Sequence, residues 1–135
     1  MPFNSSSSPY PGYGRDTRLI IGNGKFQIGE TAGNTALEIF YPKSSEFNGS
    51  YQMLIGNLTA KNYKQIEGIV YIASKTDGYA VVDGKANTCK MVRIPNSSVT
   101  WYTQDPILVN DPSITYLSSF SEFTPDEQKI LKSLE

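Results

Sequence analysis

The chain has 135 residues, 39% of them apolar, and a formal net charge of −1, which is material for one domain around one modest core. It contains no histidine and a single cysteine, Cys89, so Ser-His and Cys-His nucleophile pairs, an intrachain disulfide and a thiolate zinc site all lack their residues. Charged residues supply only 19%; Ser, Thr, Asn, Gln, Gly and nine Tyr fill the difference, giving a polar but uncharged surface that tolerates close packing against other protein.

Residues 1–14, MPFNSSSSPYPGYG, are of low complexity, and Pro9, Pro11, Gly12 and Gly14 oppose regular structure. The expectation for 1–16 is an extended or disordered arm. As an arm it would lie along a neighbouring subunit with Phe3, Tyr10 and Tyr13 as anchors, since tyrosine brings large contact area with few torsions to freeze. The first residues have neither the basic start nor the apolar stretch of a secretory signal, and no run approaches the roughly 18 apolar residues of a membrane span. Synthesis in the cytoplasm is expected, and the sequons at Asn4, Asn48, Asn57 and Asn96 are read as products of an Asn/Ser/Thr-rich composition.

From 17 to 116 the pattern is one of short strands punctuated by turns. Segments 18–21 and 25–28 flank Gly22-Asn23-Gly24, the strongest local hairpin signal in the chain. No third glycine or Gly-Lys-Ser follows at the spacing of a phosphate loop. In 36–41, Leu37, Ile39 and Tyr41 share one face, Glu38 lies on the other, and Pro42 stops the run. Strand 51–58 follows Asn48-Gly49. Segment 65–74 is more continuously apolar and reads as a single buried strand. Asp77-Gly78 and Asp83-Gly84 then turn the chain into 79–82 and 88–94, and strands at 99–103 and 107–109 complete the series. Turns at this spacing describe a single antiparallel β-barrel or β-sandwich.

Residues 117–135 form a linker and a short helix. Thr124-Pro125-Asp126-Glu127 is a helix start, with Thr at the N-cap, Pro where a missing N–H costs nothing, and Glu three residues after the cap. Ile130, Leu131 and Leu134 make one apolar stripe, and a helix this short must dock, on its own domain or on a partner.

An enzyme without histidine would need paired carboxylates, a Ser-Lys pair or tyrosine. Asp77 and Asp83 read as turn residues, Glu38 and Glu67 as residues on solvated strand faces, and Ser74-Lys75 as neighbours on opposite faces. Asp105, Asn110 and Asp111 are close but lack any calcium-loop pattern. No catalytic residue, metal or cofactor is expected, and Cys89 reads as a small buried hydrophobe.

The reading that follows is a non-enzymatic structural subunit of a larger, oligomeric assembly, most naturally a viral virion component of decoration, head-completion or tail type. Its protein partners would be met through Phe3, Tyr10 and Tyr13 and through Ile130, Leu131 and Leu134. The alternative rests on charge, which is +3 through Thr103 and −4 from Gln104 onward. A mildly basic β-domain with an acidic tail is also how single-stranded nucleic-acid binders of the OB type are built. Under that reading Tyr63, Tyr71, Tyr79 and Trp101 stack bases, while Lys61, Lys64, Lys75, Lys90 and Arg93 meet phosphates.

Overall fold

The computed structural model describes residues 17–31, 33–42, 50–94 and 106–135. The protein is mainly β, and its strands fall into two sheets that follow each other along the chain. The first takes β1 (Thr17–Ile21), β2 (Phe26–Thr31), β3 (Asn34–Tyr41) and β4 (Ser50–Leu58) in sequence order, every neighbour antiparallel. The second takes β5 (Tyr63–Ile66), β6 (Ile69–Ser74), β7 (Gly78–Asp83) and β8 (Thr88–Arg93) the same way. After β8 come a single turn of helix, α1 (Pro106–Val109), and β9 (Ile114–Tyr116), which joins β8 in parallel. A 3-10 turn (Phe120–Glu122) leads into α2 (Pro125–Ser133). No closed barrel is found among the described strands.

One apolar core is shared by both sheets. Ile21, Phe26, Ile28, Leu37, Ile39, Leu54 and Ile55 enter it from the first; Val70, Ile72, Ala80, Val82, Cys89 and Met91 enter it from the second. Strand periodicity then sends the alternate residues of the second sheet the other way. Ala73, Tyr79 and Val81, with Ile69, Tyr71 and Val92 beside them, form a second apolar cluster closed over by Phe123 and Leu131. Burial on both faces is why β6 and β7 read as continuous apolar runs.

The helix start behaves as its residues dictate. The Thr124 Oγ1 accepts from the Glu127 N–H at 3.2 Å, and Glu127 Oε1 accepts from the Thr124 N–H at 2.9 Å. Replacing Thr124 by alanine removes one half of this box. Thermal unfolding is expected to show a loss of about 1 kcal/mol, with Thr124→Ser close to neutral.

Several sequence expectations are corrected. Segment 65–74 is two strands, because Glu67 and Gly68 (φ +51° and +83°) make a two-residue hairpin between Ile66 and Ile69. Positive φ at both central residues is the sign pattern of a type I′ turn. Glu67 therefore belongs to a turn and not to a strand face. Glu38 lies on the side of β3 opposite Leu37 and Ile39, as alternation requires, but it is buried rather than solvated, with Gln27, Ala36 and Phe40 also buried. Residues 107–109 are helical, since Pro106 supplies the fixed φ of a first helical position. The meander is antiparallel through β8 only, because β9 returns parallel. Segments 1–16, 43–49 and 95–105, with the strand expected at 99–103, lie outside the described residues.

Candidate functional site

The expected contact and ligand residues are distributed as follows. Phe3, Tyr10, Tyr13 and Trp101 lie outside the described residues. The stripe on α2 docks on the chain's own sheet: Leu131 is fully buried beside Ala73, Tyr79, Val81 and Phe123, and Leu134 packs against the same cluster. Leu131 is thereby taken out of any contact with another chain, and Ile130 is half-buried next to it. The reason is area: the second sheet's outer face is apolar and α2 is the element that reaches it.

The residues named for nucleic acid do not form one surface. Tyr63 packs toward the core between the sheets, whereas Tyr71 and Tyr79 pack into the cluster under α2, on the opposite face of the same sheet. Burial first, and then the hydrogen bond to Glu135, push the Tyr79 hydroxyl up to about 12. Lys90 is engaged with both carboxylate oxygens of Glu127, at 2.7 and 2.8 Å. Lys61, Lys64 and Lys75 are exposed, and Arg93 is half-buried at the end of β8.

Three polar ties that the sequence does not reveal join the sheets. At one end, Asp77, 1% exposed, accepts from the Gly56 N–H of β4 at 3.0 Å and from Asn57 Nδ2 at 3.3 and 3.4 Å. Elsewhere the β1–β2 and β7–β8 turns meet, and the Asn23 N–H donates to Asn87 Oδ1 at 2.9 Å. The third tie closes over the loop after α1. Asp111 Oδ1 accepts from Lys25 Nζ (3.2 Å), the Ser113 N–H (2.9 Å) and the Ser113 hydroxyl (2.6 Å), while Oδ2 accepts from the Tyr41 hydroxyl (2.9 Å). Burial alone would raise the Asp111 carboxyl. The hydrogen bonds from Ser113 and Tyr41, with the Lys25 ammonium, outweigh it and hold the group below the ordinary carboxylate range.

Chemically, these carboxylates are occupied. Asp111, close in sequence to Asp105 and Asn110, has both oxygens filled by donors from its own chain; Asp105 lies outside the described residues. Among the described residues no group of three or more acids or cysteines is placed to hold a metal ion. Cys89 is completely buried, and burial, with Asp111 adding to it, pushes its thiol up, away from the thiolate needed for reaction.

A polar depression of about 540 Å³ is lined by Asn57, Asn62, Ser74, Lys75, Thr76 and Glu135. Most of its polar atoms are already bonded within the chain. Asn62 donates to the Leu134 carbonyl at 2.9 Å and accepts from the Thr59 N–H at 2.8 Å, and Ser74 Oγ accepts from the Asp77 N–H at 3.2 Å. Glu135 accepts from the Tyr79 hydroxyl and from Lys132 Nζ, which also lies 4.8 Å from the Phe120 ring centre. The depression is the seam where the last helix returns to the sheet.

The described surface differs in character around α1. Leu108 is fully buried in the shared core, its carbonyl accepts from the Tyr116 hydroxyl at 2.9 Å, and its neighbours Ile107 and Val109 are the large apolar side chains that stand exposed, at 47% and 48%. Between Pro106 and Ser121 the only acidic or basic residue is Asp111, and it is buried and paired. Asn110, Pro112, Thr115, Ser118 and Ser119 are exposed as well, and the Glu122 carboxylate accepts from the Ser118 and Ser119 N–H groups at 2.9 and 3.2 Å.

Comparison with protein-family models, with curated proteins and with solved structures gives no match for this chain.

Proposed function

We propose that this chain is a non-enzymatic structural subunit of a larger assembly, a virion component of decoration, head-completion or tail type, with its two sheets stacked as a sandwich. The observation that supports this reading is the use made of the buried aspartates. Asp77 and Asp111 are bound on both carboxylate oxygens by groups of the chain itself and tie one part of the fold to another. A domain built this way is a rigid body, suited to holding a shape within a lattice. Its uncharged, Tyr-rich composition suits contact with other protein.

The test is the state of association. Light scattering on the purified full-length chain is expected to give an oligomer. Deletion of residues 1–14 is expected to leave the melting temperature unchanged and the protein monomeric. A full-length chain that remains monomeric at the highest attainable concentration would overturn the proposal. Two observations weigh against the single-strand reading: its tyrosines are divided between two faces of one sheet, and Lys90 is already paired with Glu127.

A further inference from the structure

From the way residues 118–135 are joined to the second sheet, we infer that they form a strap that opens and closes as one unit over its outer face. The strap is helical only while it is docked. This holds whether or not the chain assembles.

Three observations carry it. The first is how little backbone holds the strap to the body. The Leu117 N–H donates to the Met91 carbonyl at 2.7 Å. Beyond it, among the described residues, every backbone-to-backbone hydrogen bond of 118–135 stays within that segment. Phe120, Phe123, Leu131 and Leu134 belong to the cluster on the outer face and not to the core between the sheets. Lifting the strap therefore bares Ala73, Tyr79 and Val81 but leaves both sheets and their shared core in place.

The second observation is internal stitching. Glu122 accepts from the Ser118 and Ser119 N–H groups, and Gln128 Nε2 donates to the Phe123 and Ser121 carbonyls at 2.7 and 3.3 Å. The Phe120 and Phe123 rings meet edge to face with centres 5.7 Å apart. The 3-10 turn and α2 are thus one piece, and neither leaves the sheet without the other.

The third is where the helix finds partners for its ends. A helix leaves its first N–H and last C=O groups without partners of its own. At the start, Glu127 Oε1 accepts from the Thr124 N–H, and the same carboxylate is gripped by Lys90 Nζ of β8 at 2.7 and 2.8 Å. At the other end, Asn62 Nδ2 donates to the Leu134 carbonyl at 2.9 Å. Asn62 is already fixed by the body: its Oδ1 accepts from the Thr59 N–H and its carbonyl from the Ala73 N–H, each at 2.8 Å. Both ends of α2 thus lean on side chains of the body. Nine residues deprived of those partners and of an apolar surface are too few to stay helical in water. Docking and helix formation are one step.

Hydrogen exchange of the full-length chain, followed amide by amide across low urea concentrations, tests this. The protected amides of α2, from Gln128 to Ser133, are expected to share one opening free energy with a shallow urea dependence, because releasing the strap exposes little surface. Amides of β6 and β7 are expected to follow a steeper dependence, that of global unfolding. Two substitutions in the body then act on the helix from outside it. Asn62→Ala and Lys90→Met sit against opposite ends of α2. Each is expected to speed exchange of all its protected amides by about three- to fivefold, alike from first to last.

If α2 in the parent exchanges with the steep slope of β6 and β7, the helix opens only with the body and the inference is overturned. It is overturned equally if each variant speeds only the amides at its own end, which is fraying of a helix and not release of a strap. The parent urea series decides by itself should either variant fail to fold.

Discussion

Replacing Gly22 by valine is expected to destabilise the protein by about 4 kcal/mol, read as a fall in the urea midpoint at unchanged slope. Gly22 lies in the β1–β2 turn with φ at +58°, a conformation that a β-branched residue adopts only under strain. A Cβ placed on it would stand 2.2 Å from Asn87 Oδ1 and 2.3 Å from the Gly84 carbonyl oxygen. These belong to the β7–β8 turn of the other sheet, so a side chain at 22 prises apart the point where the two sheets touch. It also displaces Asn87, whose side chain accepts from the Asn23 N–H. Gly33 is the matched control. It too has positive φ, at +79°, but nothing lies within 4 Å of its Cβ position. Valine there incurs the backbone strain without the collision, and about 1–2 kcal/mol is expected. Equal losses at the two sites would show that contact between the turns contributes nothing.

Replacing Asp111 by alanine is expected to cost about 3 kcal/mol, because it removes the acceptor shared by Lys25, Tyr41 and Ser113, three partly buried donors. The same residue sets a pH dependence. Its folded carboxyl lies below the ordinary value, so the unfolded chain binds the proton more readily. The contribution is therefore present above the unfolded carboxylate value of about 3.9 and is lost as pH falls through the lower folded value. Urea midpoints measured from about pH 6 down to 2 should fall more steeply for the parent than for Asp111→Asn. Parallel curves would mean that the tie does not favour the ionised form.

What the sequence disclosed was what is local. The capping box at Thr124 and the turns at Asp83-Gly84 and Gly22-Asn23-Gly24 involve residues a few positions apart, and each forms where expected, although in the last it is the two glycines that take positive φ. The Glu67-Gly68 turn escaped because glutamate rarely adopts positive φ and because apolar residues continue on both sides of it. Alternation puts Glu38 on the face it occupies, but nothing in the pattern of β3 tells whether that face is wet. Three apolar residues after Asp105-Pro106 fit either state, and a strand as short as β9 carries too little pattern to read. The Asp111 tie was out of reach altogether, because its lysine is 86 positions away and nothing near 111 announces it. The stripe on α2 was legible as apolar; that its target is the chain's own second sheet depends on the two-sided burial of β6 and β7.

The parallel return of β9 separates early from late in the life of the fold. Eight strands pair with sequence neighbours through short connections, and such contacts close quickly because little chain entropy is lost with each. β9 must instead bring Ile114 alongside Cys89, which lies 25 positions earlier in the chain, before any of its three pairs form. It adds to an edge that the hairpins have already built, and the buried tie of Asp111 to Lys25 forms with it. The segment that presents Ile107 and Val109 is thus among the last to settle. Within the two-sheet body, the stretch from α1 to β9 is therefore the part of the fold expected to close last and to open first.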